Sequence, residues 1–309
     1  MKKILAPIFS IFIFFSIYKV ANAATVAIEP SHFEIKGKPG NGINGTFKFS
    51  SDTGSTYQFS IRQFEAEGTK GQIKLLPENS DYPVSSWVQF FPPITTSTSS
   101  EDQTIGFRIN VPETIREQDF YFAILASPVT NKPDSQKSTA TIQPSVASNV
   151  ILSLFDKAKI EGNIDLYLSG DKIQNISNPK LTLSIQNKLN KFQTIEGGIT
   201  VESILDKSQK NFSLIPQNIL SGAIREMTTS LEVNVPPAIY LSDLSPGIYK
   251  VSAAVSGDNG QKYSSQEMTI YLLPSLEYLT YPIITLILLI SAFILTIKVF
   301  RKNKPQIDN

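Results

Sequence analysis

Apolar side chains at every second position restrict this chain most, because a period of two suits a strand with one face in a core and suits no helix. Tyr57, Phe59 and Ile61 alternate with polar residues. So do Ile105, Phe107, Ile109 and Val111, then Leu181, Leu183 and Ile185, then Leu231, Val233 and Val235. Two fuller apolar runs, Phe120 to Ala126 and Val150 to Phe155, read as central strands covered on both faces. Turn residues punctuate the pattern: Lys38-Pro39-Gly40, Ser51-Asp52-Thr53-Gly54, Glu196-Gly197-Gly198, and Asp258-Asn259-Gly260 between Val255 and Tyr263. The Ser/Thr-rich stretches 92–100 and 131–145 read as exposed loops. Helix signals are nearly absent before the C-terminus, so the class is all-β.

An internal repeat sets the number of domains. Asn110-Val111-Pro112 follows one alternating segment and precedes Phe120-Tyr121-Phe122-Ala123-Ile124. Asn234-Val235-Pro236, 124 residues later, follows another and precedes Gly247-Ile248-Tyr249-Lys250-Val251. Two copies of one antiparallel sandwich account for this order. Leu244-Ser245-Pro246-Gly247-Ile248-Tyr249 has the form of a tyrosine corner, in which a Tyr entering a strand bonds the connection before it. The expected boundaries are therefore 24–156 and 157–272, each an immunoglobulin-like sandwich. Trp87, Phe107, Ile109, Tyr121, Ile124, Leu183, Leu231, Val233, Tyr249 and Val251 are expected in the cores.

The two ends imply export. Lys2 and Lys3, an apolar stretch from Ile4 to Ile17 and Ala21-Asn22-Ala23 have the layout of a cleavable secretory signal over residues 1–23. Leu279 to Phe300 carries no charge before Lys298 and has the length of a membrane-crossing helix. Lys298, Arg301, Lys302 and Lys304 follow, which predicts a cytoplasmic tail at 301–309 and an extracellular N-terminal part in a single-pass protein of the cell membrane.

Charge and composition narrow the chemistry. Seven of 28 basic residues lie in those end segments, against one of 27 acidic residues, leaving 21 basic and 26 acidic side chains in 24–278, a balance of about −5. Nucleic acid is not a partner for such a surface, which lacks the basic face that phosphates require. There is no Cys, so disulfides and thiolate ligands are absent, and one His, His32, excludes a multi-histidine metal centre. His32 is expected to be an exposed strand residue. Neither Glu65 with Glu67 nor Glu101 with Asp102 has the arrangement of an acid and base across a cleft. No catalytic, cofactor or metal residue is assigned, no cofactor is implied, and the protein is expected not to be an enzyme.

Several features together resemble the WxL-interacting cell-surface proteins of Gram-positive bacteria: the signal segment, Trp87-Val88 and Asn110-Val111-Pro112 in the first sandwich, Asn187 with Ile219-Leu220-Ser221-Gly222-Ala223-Ile224-Arg225 in the second, and the terminal span with its basic tail. The resemblance implies an envelope-tethered adaptor whose first domain binds peptidoglycan and whose second binds a surface protein. No ligand residue carries over from it. The alternative is a membrane-tethered, chaperone-like module that presents a strand edge to exported subunits. Asp81-Tyr82-Pro83-Val84, Trp87 and Phe90-Phe91-Pro92-Pro93 concentrate aromatics and prolines near a strand end. Such a segment serves as a partner-binding loop or as a plug for the end of the first core.

Overall fold

The computed structural model describes residues 25–52, 54–78, 81–97, 101–129, 145–156, 159–232, 235–258 and 260–302. The proposed signal segment, residues 303–309 of the tail, the 131–144 stretch and Val233 lie outside them. The chain divides into two compact units, one running to residue 64 and from 75 to 157, the other taking 65–74 and everything from 158 onward.

The first unit contains β1 (Val26–Glu29), β2 (His32–Lys36), β3 (Gly42–Ser51), β4 (Thr56–Glu67) as far as Phe64, β6 (Val88–Phe91), β7 (Ile94–Thr96), β8 (Gln103–Asn110), β9 (Asp119–Pro128) and β10 (Val146–Ser153); β5 (Gln72–Leu75) lies, but for Leu75, in the 65–74 segment of the second. One sheet has the order β1-β3-β8-β6; the other has β2-β10-β9-β4-β5, with β7 also on β4. Alternation dictates the layering. Phe47, Phe49, Ile105, Phe107 and Ile109 of the first sheet meet Tyr57, Phe59, Phe122, Ile124, Val150 and Leu152 of the second in one core. Phe49 and Phe59 cross that interface edge to face, with centroids 5.4 Å apart. Gly45 stands opposite Phe107 in the β3–β8 ladder. A Cβ there would lie 2.3 Å from the Phe107 ring, so glycine makes room for the aromatic.

Two of the places where the chain leaves one sheet for the other have a cis proline, Glu29-Pro30 between β1 and β2 and Phe91-Pro92 between β6 and β7. The 92–100 stretch is therefore not all loop: Ile94–Thr96 forms β7 against Thr56–Gln58. After the first switch β2 lies parallel to β10, with Phe33 opposite Val150 and Ile35 opposite Leu152.

The second unit contains β11 (Ile164–Ser169), β12 (Ile173–Asn175), β13 (Lys180–Asn187), β14 (Gln193–Ser203), β15 (Gln209–Ser213), β16 (Gln217–Ile219), β17 (Ile224–Glu226), β18 (Ile239–Tyr240), β19 (Gly247–Ser256), β20 (Lys262–Ser264) and β21 (Met268–Leu273). Its sheets are β11-β13-β17, with β18 also on β13, and β12-β21-β19-β14-β15, with β16 on β14 and β20 on β19. The plan of the first unit recurs, including a parallel pair of early and last strands, β12 and β21. Leu181, Leu183 and Ile185 face Ile199, Val201, Val251, Ala253, Ile270 and Leu272 across the core. Both units are antiparallel sandwiches of the immunoglobulin type.

Three sequence expectations fail here for physical reasons. The expected strand at Leu231 to Val235 is absent among the described residues, and Leu231 is 85% exposed rather than buried. Its place in the sheet belongs to β17 and β18, which pair with β13 at Ser184↔Glu226 and Lys180↔Tyr240, registers that differ by ten residues. The chain thus makes a ten-residue excursion from the ladder. Pro236 and Pro237 within it have no N–H to give to a sheet.

Glu196-Gly197-Gly198 is not a turn but the middle of β14. At Gly197, φ is +151°, and a Cβ would meet the Ala254 carbonyl oxygen at 2.3 Å, so the glycine permits close approach to β19. Tyr121 is half-buried on the outer face of β9, where its ring lies 6.1 Å from that of Phe64. The other described residues expected in the cores are buried. The tyrosine corner is present: Tyr249 Oη donates to Ser245 O at 2.7 Å.

After β21 comes helix α1 (Leu276–Lys302). Among the described residues no helix is long and apolar enough to cross a membrane.

Candidate functional site

The aromatic segment of the first unit divides between plug and surface. Tyr82, Val84, Trp87 and Phe90 are buried, while Phe91 is 56% exposed. Pro83–Ser86 forms one 3₁₀ turn that drives Val84 and Trp87 inward. The Trp87 ring then meets Phe120 edge to face at 5.1 Å. Tyr82 Oη donates to Tyr121 O at 3.2 Å. Burial pushes the Tyr82 hydroxyl above the ordinary phenol range, and the bond to Tyr121 offsets this in part, so Tyr82 remains a neutral donor. Most of this segment therefore closes the core.

Beside the plug lies a cleft of about 770 Å³, and both its walls are strand edges. One wall is β4, from Phe59 to Gln63; the other is β6, from Val88 to Phe90. Phe59 N–H donates to Pro93 O at 3.0 Å and Leu76 N–H to Gln63 O at 2.9 Å, so odd-numbered residues here turn their backbone groups away from β9. Ile61 lies between these two bonds, past the end of β7 and before β5, and no backbone partner for it is found on that side among the described residues. On the facing wall Asn110 N–H donates to Trp87 O at 2.9 Å. Trp87 O and the backbone groups of Gln89 and Phe91 thus point at β8, while those of Val88 and Phe90 point to the other edge, where no backbone partner is found among the described residues.

The rest of the lining is mixed. Phe59 and Phe90, with ring centroids 5.9 Å apart, supply an aromatic floor. Arg62, Gln63, Glu78, Ser85 and Gln89 supply polar rims. An open edge above an aromatic floor can take an added strand, whose backbone fills the vacant bonds while alternate side chains enter the floor. Sequence alternation marks Ile61 and Phe90 as inward residues, but no local signal shows that β4 is uncovered between two short neighbours. That gap is a property of topology.

Other candidate chemistry does not assemble. His32 lies in β2 with Nε2 3.3 Å from Glu34 Oε1, both side chains well exposed. Among the described residues no group of three or more His, Asp or Glu side chains is placed to hold a metal. Asn187 and the stretch from Ile219 do meet: Gly222 N–H donates to Asn187 O at 2.8 Å, and Ser221 Oγ to Leu189 O at 2.7 Å. These bonds tie the two loops together.

No family model matches this chain, and no curated protein matches it. Among solved structures it is similar to the class 5 fimbriae chaperone CfaA, at 13% identity and TM-score 0.39, over 81% of this chain and 100% of that one. A Salmonella enterica structure of the SafA pilin in complex with the SafB chaperone matches at 10% identity and TM-score 0.36, over 82% and 99% of the two chains. The E. coli chaperone DraB matches at 12% identity and TM-score 0.34, over 81% and 97%.

Proposed function

We propose that this chain is a non-catalytic protein-binding module that receives an extended segment of a partner polypeptide along the β4–β6 cleft. The vacant backbone edge at Ile61, Val88 and Phe90 is the observation that carries this reading. Added strands gain affinity from main-chain hydrogen bonds and specificity from alternate side chains, which the Phe59 and Phe90 floor would accept. Of the two functions expected from sequence, this is the chaperone-like one.

In the same proposal α1 holds the module at the cell membrane, with both sandwiches outside. Its sequence from Leu279 to Ile297 has no charged residue, and Lys298, Arg301, Lys302 and Lys304 follow. Its described side chains support this: Ile283, Leu289 and Phe293 are 53%, 63% and 67% exposed, an apolar surface on several faces that needs an apolar environment. A Gram-positive envelope adaptor of the WxL-interacting kind is compatible with that placement.

Binding of wall polymer is the second reading, favoured by the polar rim of Arg62, Gln63, Glu78 and Gln89 beside aromatic rings. One experiment separates the two. The detergent-purified full chain is panned against a random 12-residue peptide library and, separately, sedimented with purified peptidoglycan. Peptides with alternating apolar residues that slow amide exchange at Ile61, Val88 and Phe90 are expected. Protection elsewhere sinks the strand-edge reading, and sedimentation that is lost in Arg62→Ala replaces it with the polymer one.

A further inference from the structure

The outer face of the β12–β21 pair carries an apolar patch that the core does not use. Ile173 is 65% exposed, Leu273 52% and Tyr271 42%. Parallel register sets Ile173 beside Tyr271 and Asn175 beside Leu273. On its other side Tyr271 stands opposite the half-buried Ile248 of β19. A row of three apolar residues across three strands, with Leu273 next along β21, is thus a continuous surface and not scattered exposure.

Its position in the chain specifies what covers it. β21 ends at Leu273 and α1 begins at Leu276. Three residues span at most about 10 Å. The headgroup layer is about 5–7 Å deep on each side of a hydrocarbon core about 30 Å thick. A span that enters lipid within its first turns therefore brings Leu273 to the headgroup level, with Tyr271 about 7 Å behind it. A Tyr with aliphatic neighbours is the composition that settles at that boundary, with its ring among acyl carbons and its hydroxyl among headgroups. Lys172, exposed next to Ile173, adds a cation suited to lipid phosphate.

We propose that Ile173, Tyr271 and Leu273 form a membrane-seating surface that rests the second unit on the lipid headgroup layer. This rests on the reading of α1 as a span, and the two can be tested apart. The chain has no cysteine, so single labelling sites are clean. Nitroxides are placed through Ser291→Cys in α1, Lys172→Cys beside the patch, or Lys262→Cys in the hairpin at the far end of β19. Each full-length variant is reconstituted in phosphatidylcholine vesicles, and collision rates with oxygen and with a water-soluble nickel chelate are measured.

The label at 291 should be in hydrocarbon and the one at 262 in water. The label at 172 should collide with nickel several-fold less often than that at 262, and adding Ile173→Ser with Leu273→Ser should restore its access. A label at 172 as accessible as that at 262, with 291 in hydrocarbon, overturns the seating surface and leaves the span. Water access at 291 overturns both. Spin–spin broadening between labels at 172 would show a second copy of this chain, not lipid, on the patch.

Discussion

Asn187 Nδ2 donates to Ile219 O at 2.9 Å, joining the end of β13 to the end of β16, 32 positions later in the chain. The same nitrogen donates to Lys191 O at 2.9 Å, and Oδ1 accepts from Leu189 N–H at 3.0 Å. The side chain is wholly buried, and its bonds to Ile219 and Leu189 are buried with it, so these partners would lose bonds that water cannot readily replace. Asn187→Leu should destabilise the second unit by about 3–5 kcal/mol, at roughly 1–3 kcal/mol for each orphaned group. Urea unfolding followed by circular dichroism measures it; a loss under 1 kcal/mol would mean that the loops rearrange to bond elsewhere.

Ile109 and Leu183 are fully buried, whereas Leu231 is 85% exposed. Ile109→Ala and Leu183→Ala should each cost on the order of 2–4 kcal/mol in lost transfer energy and cavity formation. Leu231→Ala should stay within about 0.5 kcal/mol. A large cost at Leu231 would show that the excursion between β17 and β18 packs against the sheet.

Tyr249→Phe keeps the ring and removes the 2.7 Å bond to Ser245 O. A loss of about 1 kcal/mol is expected, since one neutral hydrogen bond is removed. Because the corner sits where the chain enters β19, amide exchange in the 242–247 connection should accelerate more than exchange within β19. Uniform acceleration across the second unit would contradict a local role.

Gln193 is 1% exposed, and neither its Oε1 nor its Nε2 has a hydrogen-bond partner among the described residues. An apolar group of similar volume removes that desolvation cost. Gln193→Met should therefore raise the thermal midpoint by a few degrees. A fall would point to an ordered water or ligand on the amide.

Asp206 accepts from Ser208 Oγ at 2.8 Å and from Ser208 N–H at 3.2 Å in the turn between β14 and β15. Its hydrogen bonds, that with Ser203 foremost and then those with Ser208, lower its pKa from 3.8 to about 2. A depressed folded value means that the carboxylate stabilises the fold above about 4, and that this contribution fades as pH falls toward 2. Carboxyl chemical shifts should place the midpoint of Asp206 well below those of exposed aspartates. Asp206→Asn should flatten the acid limb of the stability curve between those two pH values.

Alternation made most of both cores legible, because a strand with one wet face has to write its period into the sequence. Residues such as Phe59, Phe107, Ile109 and Leu183 could be placed from that period alone. It failed where the same pattern lacked a partner strand: Leu231 has the right spacing, but prolines close behind it and the competing β17 and β18 keep it out of the ladder. Gly197 misled for the opposite reason, since glycine in a strand and glycine in a turn look alike until the neighbouring backbone is in place. The cleft was the least legible feature. Among the described residues the edges at Ile61 and Val88 lack a backbone partner because β4 outruns β7 and because β6 is the last strand of its sheet, and both are relations between segments rather than properties of either one.

In each unit an early strand lies parallel to the last, β2 with β10 over five registered pairs and β12 with β21 over three. Opposed pulling on parallel neighbours strains all their bonds together in shear instead of opening them one at a time. Such a clasp raises the force of rupture by slowing unfolding, because forced unfolding follows the unfolding rate. Pulled by its ends in a single-molecule trap, the first unit, with the longer clasp, should yield at higher force than the second.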